Sequence, residues 1–275
     1  QEVTVMGVGL TPSFAYKVND RLSLGAGVSA IYTLMEQHIA FNNDAIVPGT
    51  PDGKVKMEDL TDWGWQGILG LTYQLNDRAL LGVVYRSEAD VDLEGDIKLK
   101  NILGAFSAKR DLKISWKNPQ WLEAGLRYDL NDNAQLFVNG GWQEWSAFST
   151  NTLEFSGGRV NPSATLERNF DDTWYAGIAF SRKEGDHITS IGFSYDSSPV
   201  DDKDRTLDLP FDEIYKVSMA YGWKGDRNLD FALGGTLYLA GDAEIDQTSI
   251  DGTRVVGEFD SNMILFLGGT VRYVF

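Results

Sequence analysis

Several absences bound this chain before any motif is considered. It has no cysteine, which removes disulfide frameworks, thiolate metal sites and cysteine nucleophiles together. It has no run near the roughly 18 apolar residues that a membrane-spanning helix needs. That absence does not exclude a membrane, because a strand facing lipid on one side needs only every second residue apolar. Basic charge is scarce: 24 Lys and Arg stand against 40 Asp and Glu, for a net charge of −16. No basic stripe runs along the sequence, so nucleic acid is not an expected partner. Histidine is limited to His38 and His187, which the strand pattern below places far apart, too little for a relay of histidine with an acid and a serine. No enzymatic activity, catalytic residue, metal site or cofactor is expected.

What is present is alternation. In Met263–Phe275, residues Met263, Leu265, Leu267, Gly269, Val271, Tyr273 and Phe275 share one face of a strand. Leu22, Leu24, Ala26, Val28, Ala30 and Tyr32 do the same, as do Leu122, Ala124, Leu126 and Tyr128, and Leu229, Phe231, Leu233, Leu237 and Leu239. Helical spacing fits none of these segments. A soluble β-sandwich would alternate as well, so the aromatic residues carry the distinction. Tyr16, Tyr73, Tyr128, Phe180, Tyr221 and Trp223 stand at one level, and Tyr32, Trp65, Tyr85, Trp142, Trp174, Tyr195 and Tyr215 at another. Two aromatic levels about 8–11 residues apart along tilted strands match the girdles flanking an apolar band of about 25 Å. The strand ending in Phe275 suits the closing strand of an outer-membrane barrel.

Short polar signals recur at Asn19–Asp20–Arg21, Asn76–Asp77–Arg78, Asn131–Asp132–Asn133, Glu184–Gly185–Asp186 and Gly225–Asp226–Arg227. Each suits a tight hairpin turn. Longer loops centre near residues 40–55, 98–112, 147–166, 197–212 and 241–256, so short periplasmic turns and long extracellular loops are expected. The fold class is all-β, an antiparallel transmembrane β-barrel forming a single domain over 1–275. About eleven strands are expected, near 3–18, 21–38, 57–75, 78–97, 110–130, 133–155, 166–183, 187–197, 211–224, 228–244 and 257–275. The first and last then run the same way, and bacterial single-chain barrels have an even number. Strands missing upstream, or another closing element, are therefore expected.

Several stretches resemble the FadL/TodX-type outer-membrane transporters of long-chain fatty acids and aromatic hydrocarbons. They are Pro12–Ser13–Phe14–Ala15–Tyr16 through Gly27, Gly64–Trp65–Gln66–Gly67 through Tyr73, Tyr85–Arg86–Ser87–Glu88, Trp142–Gln143–Glu144–Trp145, Asp171–Asp172–Thr173–Trp174–Tyr175–Ala176–Gly177 and Tyr195–Asp196–Ser197–Ser198–Pro199–Val200. Asp204–Arg205 before Leu209–Pro210 matches too. The resemblance implies a 14-stranded barrel with an internal N-terminal hatch, of which this chain matches the last eleven strands. The hatch and the kinked early strand have no counterpart here, and the loop after Tyr32 is reduced.

The polar face should line the lumen with Gln66, Gln74, Arg86, Glu123, Arg127, Asn139, Lys216, Asp230 and Arg272, pairing as scaffold or holding a carboxylate. By resemblance, an extracellular ligand site falls near Glu36–Gln37–His38 and Leu166–Glu167–Arg168–Asn169–Phe170, with Arg168 and His38 as polar candidates. Trp145 and Trp121 lie on the lumenal parity and suit either an apolar pocket or packing. The acidic segments Asp201–Asp202–Lys203–Asp204 and Asp242–Ala243–Glu244–Ile245–Asp246 read as solvated loops or as sites bridged by divalent cations to lipopolysaccharide. The expected function is passive outer-membrane transport of a hydrophobic small molecule by a monomer in contact with outer-membrane lipid and lipopolysaccharide. The alternatives are a general diffusion porin and a structural or engineered barrel fragment without transport activity.

Overall fold

The computed structural model describes residues 2–44, 47–102, 106–158, 161–205, 210, 212–225, 228–248, 254–259 and 262–273. Phe275, Leu209 and the turn residues Asp226–Arg227 lie outside them. The strands are β1 (Glu2–Leu10), β2 (Ser13–Lys17), β3 (Leu22–Phe41), β4 (Gly53–Asn76), β5 (Ala79–Arg86), β6 (Ala89–Ile102), β7 (Phe106–Asn118), β8 (Trp121–Asn131), β9 (Ala134–Gln143), β10 (Thr150–Ser156), β11 (Ser163–Glu167), β12 (Thr173–Glu184), β13 (His187–Asp196), β14 (Ile214–Lys224), β15 (Leu229–Ala240), β16 (Ile245–Thr248), β17 (Arg254–Gly257) and β18 (Asn262–Tyr273). A single 3-10 turn, Trp145–Phe148, separates β9 from β10.

Eleven strands form an antiparallel wall, counting β1 and β2 as one strand broken at Thr11–Pro12, where proline has no N–H to give the ladder. Their order is β1/β2, β3, β4, β5, β8, β9, β12, β13, β14, β15, β18. The turns at one end form as the sequence indicates. The Asn19, Asn76 and Asn131 side chains accept hydrogen bonds from the backbone N–H two residues on, at 2.8–2.9 Å, which is the Asx turn. Gly185 supplies the positive φ, +61°, of the fourth turn.

The outer face of the wall is apolar and uncovered: Trp65, Leu69, Met219, Leu233 and Leu267 are each about 60–78% exposed. So wide an apolar belt is untenable in water and suits lipid. Both girdles are present as ring contacts, the cross-strand pairs Tyr32–Trp63, Trp142–Trp174 and Tyr195–Tyr215 at one level and, at the other, Trp223 against Phe231 across strands and against Tyr221 along β14. Among the described residues β1/β2 pairs only with β3 and β18 only with β15. Both edges run in the same direction, and their lumen-side Val5 and Phe266 are exposed.

Three expected strands are each two. The segments near 78–97, 110–130 and 133–155 break at Ser87–Glu88, at Pro119–Gln120 and at the 3-10 turn. Beyond those breaks β6, β7, β10 and β11 branch from the upper part of β4 as an upper arm of the same sheet, in the order β4-β6-β7-β10-β11. The physical reason is a change of solvent. Below the breaks the outside is lipid hydrocarbon; above them it is polar, headgroups and water, so the faces must exchange polarity. On β4 the exchange takes place at Asp59, a non-glycine residue at φ 57°, where the pairing with β3 and β6 slips. Trp63 and Trp65 point out below this bulge. Lys54, Lys56 and Glu58 point out above it, which turns Val55 and Met57 inward. The result is the most buried apolar cluster among the described residues: Leu60, Val91, Leu93, Ile97, Leu112 and Ile114.

Candidate functional site at the extracellular mouth

The mouth is organised by Asp172, just before β12. Its carboxylate accepts from Trp142 Nε1 at 3.0 Å and from Ser146 Oγ at 2.6 Å, fixing the 3-10 turn to the wall. Glu144, ahead of the turn, accepts from Gln120 Nε2 at 2.8 Å, and Gln120 in turn accepts from Tyr85 OH at 2.6 Å. With the turn held at both ends, Trp145 points over the lumen and donates through Nε1 to Gln143 Oε1 at 2.9 Å.

Trp145, Phe148 and Phe170 form one aromatic cluster, with ring centroids 5.9–6.2 Å apart. Phe148 also meets Trp116 edge-on at 6.2 Å, joining the cluster to the apolar inner face of the upper arm. The Arg168 guanidinium lies 6.0 Å from the Phe148 ring centre while Nε donates to Asn151 Oδ1 at 2.6 Å. Beneath the cluster is a cavity of about 230 Å³ lined in part by Trp145, Tyr175, Ile214, Asp196 and Lys216. Lys216 pairs with Asp196 and sits 5.1 Å from the Tyr238 ring centre.

The residues expected to line the lumen lie on the face opposite the exposed apolar belt and are mostly engaged. Gln66 donates to the Ser87 carbonyl at 2.8 Å, and Gln74 to the Asn76 carbonyl. Asn139 reaches Glu123 at 3.4 Å, Arg127 lies 3.4 Å from Asp129, and Arg272 lies 3.9 Å from Asp230. Arg86 packs its guanidinium 4.8 Å from the ring centre of Trp121, and its buried Nε has no hydrogen-bond partner among the described residues. Thus Arg168 and Trp145 come together, whereas Trp121 joins Arg86 in a separate lumenal pair.

His38 joins neither. β3 runs unbroken from the girdle, and its register with β1 puts His38 on the outward face, between Glu2 at 3.9 Å and Glu58 at 3.8 Å. The acidic loops are likewise not simply solvated. Arg205, 1% exposed, is bound by Asp202 at 2.7 Å, by Asp212 at 3.2 Å and by the Glu244 carbonyl. It ties the loop after β13 to the segment after β15. At that loop's end, burial and the neighbouring Asp212 carboxylate push the Glu213 carboxyl above its ordinary range. Phe148 went unread in the sequence, although it stands three residues after Trp145; Phe170 was read only as the end of the segment Leu166–Phe170. Among the described residues no group of acids and histidines is placed to hold a metal.

This architecture is matched from end to end by the family model for outer membrane protein transport proteins of the OMPP1/FadL/TodX type, over residues 1–275. The chain belongs to that family. It is an outer-membrane protein and not an enzyme. It is 24% identical over 256 residues to a long-chain fatty acid transport protein of Escherichia coli O6:H1, covering 81% of this chain and 57% of that protein. The chain therefore spans little more than half the length of that relative. Its fold superposes on a Pseudomonas aeruginosa FadL homologue with a TM-score of 0.80 at 19% identity, covering 98% of this chain and 67% of the other. The Pseudomonas putida toluene transporter TodX gives 0.68 at 20% identity, covering 86% and 64%. In this family orientation the tight turns are periplasmic and the upper arm of the sheet is extracellular.

Proposed function

We propose that this FadL/TodX-family chain takes up a hydrophobic small molecule at the cell surface and passes it into the barrel lumen, acting as a monomeric single-domain barrel. The observation that carries the reading is the continuity of apolar surface, from the inner face of the extracellular arm through Trp116, Phe148, Phe170 and Trp145 to the cavity below. Pockets for such ligands are mostly apolar with a few oriented polar groups. Here the polar groups are Gln143, Thr173, Asp196, Ser197, Asp212 and Lys216 around the cavity and Arg168 at the rim, with Trp145, Tyr175, Pro199 and Ile214 as its apolar part. A fatty acid could place its carboxylate against either cation; an uncharged aromatic hydrocarbon would use the rings alone. The names of the relatives, a fatty acid transporter and a toluene transporter, support both substrate classes.

The test is a titration of the full chain in neutral detergent with a fluorescent long-chain fatty acid, with toluene as competitor, alongside liposome swelling in sugars. Saturable binding without sugar-driven swelling supports the reading. Rapid sugar entry without binding makes the chain a diffusion porin, and neither activity makes it a structural barrel segment.

A further inference from the structure

The outward face of the extracellular arm carries lysines in two rows. Lys54 on β4 lies opposite Lys100 on β6; one row nearer the membrane, Lys56 lies opposite Lys98, which lies opposite Lys109 on β7. Like charges directly opposite in a sheet repel, so this register is unfavourable unless something anionic covers it. The next row supplies Glu58, Asp96 and Asp111. Glu58 is shared by Lys56 and Lys98, and Asp96 meets Lys109 at 2.6 Å. Lys54 and Lys100 make no ion pair among the described residues. Within these three rows five lysines stand against three carboxylates, with Glu2, Asp59 and Glu94 adjoining them, in a chain whose net charge is −16.

The position of the rows is as informative as their charge. His38 flanks Lys56 in register and shares the outward face of unbroken β3 with the girdle residue Tyr32. Six residues at about 3.3 Å each set this row about 20 Å along a tilted strand beyond the girdle. The lysine face therefore continues the lipid-facing surface upward, at the height of outer-leaflet headgroups. It is also held in place: Val55, Met57, Ile97 and Leu99, which alternate with these lysines, pack into or against the apolar core behind them. Lysine ammonium groups are compact charges suited to phosphate oxygens.

We propose that this lysine face binds the phosphate groups of lipopolysaccharide in the surrounding outer leaflet, a site separate from the lumen. The acidic row beneath keeps the lysine heads apart, while Lys54 and Lys100 meet the phosphates.

The test uses the full chain in neutral detergent, immobilised and titrated with detergent-dispersed lipopolysaccharide, dephosphorylated lipopolysaccharide, phosphatidylglycerol and inorganic phosphate. Native lipopolysaccharide should bind most tightly and weaken as salt is raised. The triple variant Lys54→Gln/Lys98→Gln/Lys100→Gln should lose on the order of 100-fold in affinity. The charge-matched periplasmic variant Lys17→Gln/Lys183→Gln/Lys224→Gln should bind as the native chain does. Unchanged heat-dependent gel migration and fatty-acid binding show that the triple variant is folded; if it is not, Lys100→Glu alone is read in the same titration and should also weaken binding. Equal binding by the lysine variants and the native chain overturns the proposal. So does equal binding of dephosphorylated lipopolysaccharide or phosphatidylglycerol, or displacement by inorganic phosphate, since any of these means the face does not select this lipid.

Discussion

Phe148 stacks on Phe170, with ring centroids 5.9 Å apart and planes 27° from parallel, so a residue from the turn after β9 and one from the segment before β12 share a wall of the mouth. Each such contact is worth about 0.5–1.5 kcal/mol beyond area burial. Replacing Phe148 by alanine removes its contacts with Trp145, Phe170 and Trp116 together. The expected outcome is at least about tenfold weaker binding of a fluorescent fatty acid, with the strand content by circular dichroism unchanged.

The bulge at Asp59 requires its neighbour to be small. A methyl group at Gly95 would lie 2.8 Å from both the Asp59 carbonyl carbon and oxygen and from the Glu58 oxygen, closer than any packing allows, and backbone cannot move aside cheaply. Gly95→Ala should therefore lower the folded fraction recovered in heat-dependent gel migration. Asp59→Gly, which relieves a left-handed backbone, should leave it equal or raise it.

Arg205 joins two extracellular segments through Asp202, Asp212 and the Glu244 carbonyl. Breaking a buried pair costs about 3–5 kcal/mol, and because the Asp202 side chain is 60% exposed the lower end of that range applies. Arg205→Ala should speed hydrogen exchange and protease cleavage between residues 197 and 213 while the wall strands stay protected.

Two carboxyls of the extracellular region should respond to pH with opposite sign. The Ser115 hydroxyl and the Lys113 ammonium hold Asp92 below its ordinary range. Its stabilisation is present above the unfolded value of about 3.9 and is lost as pH falls through the lower folded value. Asp92→Asn should thus weaken protection of β6 and β7 at neutral pH, with the difference vanishing in strong acid. Glu213 is held high, by burial first and then by Asp212. Its cost is present above the folded value and disappears below the unfolded one. Glu213→Gln should stabilise the loop at neutral pH, and the difference should vanish as pH falls below the unfolded value of about 4.3. Hydrogen exchange across a pH series reads both.

The wall was legible because period-two alternation and turn asparagines are local properties: Leu22–Tyr32 and Asn76–Asp77–Arg78 announce themselves. The change of face was not. Residues 78–97 alternate almost throughout, and a strand break at Ser87–Glu88 or a one-residue slip at Asp59 is invisible without the partner strand. That slip is why His38 lies opposite Lys56 on the outside and why Lys54, Lys98 and Lys109, distant in sequence, lie together on one face. Arg168 and the segment ending in Phe170 were accessible through the resemblance and Trp145 through its parity, but Phe148, the ring that unites them, sits in a 3-10 turn with no period to read.

Entry of a hydrophobic molecule through this mouth is measured by uptake of radiolabelled long-chain fatty acid and of toluene into intact cells lacking their own hydrophobic transporter and producing the full chain in the outer membrane. Uptake above the empty-vector level is expected for at least one of the two, reduced by Phe148→Ala at equal surface abundance. Uptake at the empty-vector level for both compounds, with the chain folded in the membrane, would contradict such entry.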